Sequence, residues 1–190
     1  MPMPKENGKY TYADYLTWPE DERWEIIDGI AYMQAAPSWQ HQAISSELSA
    51  QFVNYLRGKS CKAFTAPFDL RLPEENEKDE DTKNVLQPDI VVVCSKKGLK
   101  GTGYYGVPEL IIEITSPATS RKDRLLKFNK YEKAGVKEYW IVEPEGVVSV
   151  FKLQDGNRYG RPELYGEKDK IKVSIFPDLV IDLEPVFAGI

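Results

Sequence analysis

The spacing of apolar residues along the chain changes several times, and each spacing predicts an element of secondary structure. The opening residues 11–22 are typical of a short helix. Apolar residues on both sides of Asp28 and Gly29 predict a β-hairpin, because an Asp-Gly pair favours a tight turn. From Ser38 to Gly58, apolar residues recur every three or four positions, which predicts an amphipathic helix of about 18 residues.

Apolar runs rich in branched residues dominate the middle of the chain. AFTAPFDLRL alternates like a strand, and PDIVVVC, PELIIEIT and KEYWIVEP are typical of strands covered on both faces. SRKDRLLKFNKYEKAG is helical in pattern and ends at Gly135. We expect an α/β fold of the α+β type with a mixed sheet, one domain over 1–190, a core over about 10–153, and a C-terminal strand extension over 154–190.

Composition narrows the class of protein. The chain has 190 residues, of which 42% are apolar and 29% charged, as in an ordinary globular protein. Only Cys61 and Cys94 are present, and we expect buried free thiols in a reducing compartment. A single histidine excludes a zinc site built on several imidazoles. The chain has no apolar run of about 20 residues and no apolar signal-peptide core, so we expect a cytoplasmic protein without a membrane partner.

The charge is distributed unevenly around a net value of -5. Residues 74–81 contain six acidic residues and one lysine, whereas residues 95–137 contain ten lysines or arginines and four acidic residues. The basic segment suits a surface that contacts phosphate, and a solvated basic helix is the alternative. The overall negative charge argues against a general nucleic-acid binder.

Two acidic residues interrupt the apolar strands. Asp89 opens the VVVC run directly after Pro88, and isoleucines flank Glu113 on both sides. Strand alternation places Glu113 on the face opposite Leu110, Ile112 and Ile114, in a covered layer. A buried carboxylate needs a cation, a hydrogen-bond donor or a metal. We therefore expect Glu113 either to form a salt bridge to the neighbouring helix or to converge with Asp89 on a divalent cation such as Mg²⁺.

These segments, in this order, resemble a known family. QPDIVVV, then IIEITSP with Glu113 24 residues after Asp89, then RKDRLLKFNKYEKAGV and EYWIVEP resemble the Uma-two family of restriction endonucleases, in the PD-(D/E)XK nuclease-like superfamily. TYADYLTWPEDERWEIIDG and PSWQHQ extend the resemblance to about residues 10–153. The resemblance implies a restriction-endonuclease-like core, with helices flanking a mixed β-sheet, an N-terminal hairpin and C-terminal antiparallel strands.

The resemblance also implies a metal-dependent endonuclease that hydrolyses DNA phosphodiester bonds. Asp89, Glu113 and the main-chain carbonyl of Ile114 would bind Mg²⁺ or Mn²⁺. The superfamily commonly has a lysine two residues after the glutamate, where this chain has Thr115, which cannot supply a positive charge. A lysine on the following helix would replace it.

Lys127 is the preferred replacement. Leu125, Phe128 and Tyr131 follow a three-residue spacing and should face the sheet, while Lys127 lies four residues before Tyr131 and so near that face. Its aliphatic stem can lie along apolar surface and present the amine to the two acids. Arg124, one turn earlier, is the alternative.

Three further residues are weaker candidates. Glu25, in WEIIDG, is either a metal ligand or water-orienting group, or a residue on the wet face of the hairpin. His41, in PSWQHQ, is a proton carrier or phosphate contact, or a structural histidine. Asp69 could join the site, but pairing with Arg71 or capping a turn is favoured.

The expected partner is nucleic acid, with DNA preferred, and Lys96, Lys97 and Lys100 would approach its backbone. A homodimer would suit cleavage of both strands of a duplex. The alternative function is a catalytically inactive nuclease-fold module that binds nucleic acid or protein. A third is a metal-dependent hydrolase of another phosphate substrate, since a fold alone does not determine the substrate.

Overall fold

The computed structural model describes residues 9–116 and 120–190. Contacts group them into two compact units, each built from separate stretches of the chain. The first unit contains residues 9–36, Ala66–Pro88 and Lys96–Val107, and the second contains Pro37–Thr65, Asp89–Ser95 and the described part of Pro108–Ile190. A single domain over 1–190 stays a prediction.

The elements follow one another in short segments. The strands are β1 (Trp24–Ile27), β2 (Ile30–Met33), β3 (Lys62–Thr65), β4 (Asp69–Arg71), β5 (Val85–Leu86), β6 (Ile90–Val93), β7 (Leu99–Lys100), β8 (Gly103–Tyr105), β9 (Leu110–Ile114), β10 (Glu138–Glu143), β11 (Val147–Gln154), β12 (Arg158–Tyr159), β13 (Glu163–Gly166), β14 (Lys170–Lys172) and β15 (Val180–Asp182). The helices are α1 (Tyr12–Tyr15), α2 (Trp39–Leu56), a π-helical turn (Lys122–Lys127), α3 (Phe128–Ala134) and α4 (Glu184–Phe187), with 3₁₀ turns at Asp79–Asp81 and Lys96–Gly98.

The first unit contains a mixed sheet with strand order β2-β1-β5-β4-β8-β7. β1 and β2 form the predicted antiparallel hairpin, with Ile27 paired to Ile30. The turn residues Asp28 and Gly29 have φ angles of 53° and 77°, as a two-residue turn with two left-handed positions requires. The hairpin prediction is therefore confirmed.

Helix α2 confirms the second local prediction, since it spans 18 residues as the apolar spacing indicates. Ser38 caps it, with its side chain accepting a hydrogen bond from the main-chain N of His41. Ile44, Leu48 and Phe52 form its buried face. Those side chains pack into the main core of the second unit.

The sheet of the second unit has the order β12-β11-β10-β9-β6-β3, with β13 also paired to β11. β9 is antiparallel to β6 and parallel to β10, so the sheet is mixed, as the predicted fold class requires. Leu110, Ile112 and Ile114 of β9 enter the core together with α2, which confirms the predicted alternation. Glu113 is left on the other face.

The predicted C-terminal extension contributes to this same core. Ile171 of β14 and Ile181 of β15 are fully buried in it. The buried carboxylate of Glu138 ties the segment to β10, because it accepts hydrogen bonds from Trp140 Nε1 at 2.8 Å and from the main-chain N of Ser174 at 2.9 Å.

Two expectations about this region are wrong. The run 63–72 is not one strand: it divides at Pro67, which has no N–H to continue a ladder, into β3 and β4 in different sheets. Cys61 and Cys94 are not free thiols but form a disulfide. The antiparallel pairing of Lys62 with Val93 brings the two cysteines side by side at the end of the ladder, which the sequence separation of 33 did not reveal.

No helix within the two described stretches is long and apolar enough to cross a membrane.

We predict that Phe52→Ala lowers the free energy of unfolding by about 3–5 kcal/mol, because it leaves a cavity beside Trp140, whose ring lies 5.7 Å from that of Phe52. Urea denaturation followed by circular dichroism measures the change. The neighbouring, exposed Val53 provides the control, and Val53→Ala should stay within about 0.5 kcal/mol of the wild type. Equal effects of the two substitutions would contradict the assigned core.

Candidate active site

Glu113 lies in the middle of the second unit's sheet, on β9 between β6 and β10. Its side chain is only 4% exposed. The carboxylate oxygen Oε1 accepts hydrogen bonds from Lys127 Nζ at 3.0 Å and from the Tyr131 hydroxyl at 2.6 Å. The predicted inward orientation is confirmed, and the contact with Lys127 is the salt bridge to the neighbouring helix that was the alternative to a metal-binding role.

Lys127 is buried at the end of the π-helical turn. Besides Glu113, its ammonium group contacts Asp123 Oδ1 at 3.5 Å. One lysine therefore contacts two buried carboxylates in the layer between the sheet and the helix. π-helical turns are rare and occur frequently at functional sites.

The π-helical turn also explains a wrong prediction. Leu125 was expected to face the sheet, but its side chain is 52% exposed. Asp123, Lys127 and Tyr131 are buried instead, at a spacing of four residues. The wider turn rotates Leu125 out of the three-residue register that Phe128 and Tyr131 suggested.

Asp89 lies directly before β6, the strand next to β9, which carries Glu113. Its Oδ2 accepts a hydrogen bond from the main-chain N of Ile114 at 2.7 Å. The ladder pairs Ile90 with Ile112, and its next pair in register would be Asp89 and Glu113. Directly opposed residues of antiparallel strands point to the same face, so both acids belong to one side of the sheet.

His41 contacts the same oxygen of Asp89, with its Nε2 3.1 Å from Oδ2. The Ser38 cap fixes the start of α2. His41 is the third residue of that helix, so the cap also fixes its position. Within the described residues, the buried Nδ1 of His41 has no hydrogen-bond partner. The second unit thus brings together Asp89, Glu113, Ile114, Lys127 and His41.

Glu25 belongs to the first unit, on β1. Its side chain is fully buried, so the wet-face alternative is wrong. Its two carboxylate oxygens accept hydrogen bonds from Gln34 Nε2 at 2.6 Å and from the main-chain N of Gln87 at 3.0 Å. A metal-ligand role for Glu25 stays a prediction.

The favoured pairing of the Asp69 and Arg71 side chains is wrong. The Asp69 carboxylate accepts from the hydroxyls of Tyr15 at 2.9 Å and Thr102 at 2.5 Å, while Arg71 Nε donates to Asp79 Oδ1 at 2.7 Å. Each side chain thus finds its partners on other segments of the first unit, not on the neighbouring position of the same short strand. Asp69 is therefore satisfied within its own unit.

The remaining basic candidates lie apart from Glu113 or in the other unit. Arg124 points to Glu143, with Nη2 2.6 Å from Oε1, so Lys127 rather than Arg124 contacts Glu113. Lys96, Lys97 and Lys100 belong to the first unit. Their contact with a nucleic-acid backbone stays a prediction.

Tyr139 of β10 supports the turn that carries Lys127. Its hydroxyl donates to the main-chain O of Asp123 at 3.2 Å. Burial, and then the negative charges of Glu113 and Asp123, raise the pKa of Tyr139 well above its ordinary value. The phenol therefore stays protonated and keeps this hydrogen bond.

Sequence reasoning missed two members of this cluster, Asp123 and Tyr131. Tyr131 was assigned to the apolar face that packs on the sheet, and Asp123 was not singled out. The available signal was the repeat of four residues from Asp123 through Lys127 to Tyr131, which places all three on one side of a helix.

The donor set suits a hard divalent cation. Across the described residues, no three His, Cys, Asp or Glu side chains converge as a metal centre. Mg²⁺, however, prefers oxygen ligands and is commonly held by one or two carboxylates while it keeps several waters. Asp89, Glu113 and the carbonyl of Ile114 offer that chemistry.

Comparison with known proteins gives the family. The family model described as "Putative restriction endonuclease" matches residues 12–184. The chain belongs to the Uma-two family. The match confirms the resemblance noted in the sequence and extends it through most of the C-terminal segment.

Two relatives illustrate the match. An uncharacterized protein of Synechocystis sp. is 34% identical over 132 residues, which cover 68% of this chain and 64% of that protein. The chain thus matches less than two thirds of that curated relative's length. The crystal structure of a putative nuclease belonging to DUF820 from Anabaena variabilis has 21% sequence identity and a TM-score of 0.74, covering 94% of this chain and 98% of that one. At that identity, the likeness shows a shared fold.

We predict that Lys127→Met lowers the free energy of unfolding by about 3–5 kcal/mol, because it leaves Glu113 and Asp123 as buried charges without their cation. Urea denaturation measures the loss. Lys137→Met, at an exposed position of the same unit, should change stability by less than about 0.5 kcal/mol. The buried ion pair would be refuted by similar values for the two variants.

Proposed function

We propose that this protein is a metal-dependent endonuclease that hydrolyses DNA phosphodiester bonds. Asp89, Glu113 and the main-chain carbonyl of Ile114 bind Mg²⁺ or Mn²⁺, and Lys127 assists the attacking water or the scissile phosphate. The observation that carries the proposal is the buried contact of 3.0 Å between Lys127 Nζ and Glu113 Oε1 on the sheet face that Asp89 shares.

The positions of the two acids support a shared cation. Glu113 lies on β9, Asp89 directly precedes the adjacent antiparallel strand β6, and the Ile114 amide donates to Asp89 Oδ2 at 2.7 Å. When bound, the metal ion would stabilise negative charge on the phosphate and lower the pKa of a bound water. The sheet supplies rigid main-chain positions for these ligands, which favours a defined geometry.

Lys127 supplies the charge that Thr115 cannot. Thr115 is buried, and its hydroxyl donates to the main-chain O of Val142 on β10 at 3.4 Å. Lys127 approaches from the helix and presents a fixed ammonium group in a buried layer. A preorganised cation stabilises charge that develops on the phosphate more strongly there than in water.

His41 orients Asp89 in this proposal. Its Nε2 donates to the oxygen that the Ile114 amide also contacts, so two donors fix one side of the carboxylate. Outer contacts of this kind orient metal ligands and are worth about 10- to 100-fold in metal affinity or activity.

DNA is the proposed substrate because the chain belongs to a family described as restriction endonucleases. The basic residues of segment 95–137 give phosphate contacts on an acidic protein. Cleavage of both strands of a duplex by one site per chain favours a homodimer.

The test is cleavage of supercoiled plasmid and of labelled single-stranded and duplex oligonucleotides in Mg²⁺ or Mn²⁺. We expect metal-dependent cutting by the wild type, none by Glu113→Gln, and a rate lower by about 100-fold or more for Lys127→Met. Glu145→Gln removes an exposed carboxylate of the same unit and should cut like the wild type.

Wild type that binds DNA stoichiometrically but leaves every substrate uncut in both metals would overturn the proposal. The inactive binding module would then be the better interpretation. Cleavage that is equal in the wild type and Glu113→Gln would instead place the active site elsewhere.

A separate prediction concerns His41. His41→Ala should lower the cleavage rate by about 10- to 100-fold, because it removes one of two donors to Asp89. Gln42→Ala, at the exposed neighbouring position, is the control and should retain the wild-type rate. Full activity of His41→Ala at limiting metal would exclude the orienting role.

A further inference from the structure

Tyr131 makes the shorter of the two described contacts to Glu113. Its hydroxyl lies 2.6 Å from Oε1, the distance of a charge-assisted O–H···O⁻ hydrogen bond. Lys127 Nζ reaches the same oxygen at 3.0 Å from one turn earlier. Two donors from one side of a helix therefore converge on one carboxylate oxygen.

The two donors differ in stiffness. A lysine reaches its partner through a flexible four-carbon stem, whereas a tyrosine carries its hydroxyl on a rigid ring. The ring of Tyr131 is fully buried and packs edge-on against Tyr139, with 5.0 Å between centroids. The buried ring therefore holds the hydroxyl of Tyr131 in place beside Glu113.

The orientation of Glu113 depends on such contacts. The last torsion of a glutamate side chain is broad and roughly two-fold, so the strand alone does not fix the plane of the carboxylate. A donor on a rigid ring, directed at Oε1, fixes that plane.

We propose that Tyr131 is a positioning residue, which holds the Glu113 carboxylate in the orientation that binds the divalent cation. This inference rests on the proposed function, in which Glu113 is a metal ligand. In this role Tyr131 acts through its hydrogen bond to Glu113.

The experiment is calorimetric titration of the full chain with Mn²⁺ in the absence of DNA. Tyr131→Phe removes only the hydroxyl, and we expect the dissociation constant for Mn²⁺ to rise about tenfold. Glu113→Gln marks the loss of a ligand. Tyr159→Phe is the matched control: it removes a hydroxyl of the same unit that donates to the main-chain O of Val136 at 2.9 Å, and it should bind Mn²⁺ like the wild type.

Cleavage kinetics provide a second readout. Raising the Mn²⁺ concentration should restore cleavage by Tyr131→Phe to near the wild-type rate but should not restore Glu113→Gln. A residue that only stabilises the fold would lower the melting temperature without changing the metal concentration needed for half-maximal rate.

The outcomes separate the two proposals. If the wild type binds Mn²⁺, Glu113→Gln does not, and Tyr131→Phe binds as tightly as the wild type, the positioning role is overturned and the metal site stands. If the wild type binds no Mn²⁺, the metal site fails and the positioning role fails with it. Weaker binding by Tyr131→Phe that excess Mn²⁺ overcomes supports both.

Discussion

The buried contact between Glu113 and Lys127 is the constraint on which the candidate site depends. A carboxylate in the middle of a central strand loses its water on folding, and only a cation and hydrogen-bond donors offset that loss. Lys127 and Tyr131 supply both from one side of the following helix. The π-helical turn is the local geometry that brings the lysine there, and Asp123 and Tyr139 hold that turn in place.

The two faces of the second unit's sheet have different roles. One face of β9 enters an apolar core shared with α2 and with the C-terminal strands. The other face holds Glu113, and the main-chain N of the next residue, Ile114, donates to Asp89. Successive residues of β9 alternate between the two faces, so the same strand contributes to the core and to the candidate site. A shift of one position would place the acid in the apolar core.

Membership of the Uma-two family and the nuclease-like fold limit the chemistry without deciding it, since a fold supports many functions. The particular residues narrow the choice. Thr115 hydrogen-bonds to the main chain of β10, and the cation that contacts Glu113 lies on a helix instead of on the strand. His41 and Tyr131 each add a donor to one of the two acids, which makes the orientation of the carboxylates a property of the surrounding helices.

The sequence pattern was sufficient to predict the elements that are determined by interactions between neighbouring residues. The Asp28-Gly29 turn, the extent of α2 from its Ser38 cap, and the alternation along β9 all follow from neighbouring residues and were predictable. The disulfide, the partners of Asp69 and the burial of Glu25 depend on segments far apart in the chain, and no periodicity encodes which segments meet. Leu125 shows the same limit within one helix, because the π-helical turn changes which side chains face inward and the apolar spacing does not encode that turn.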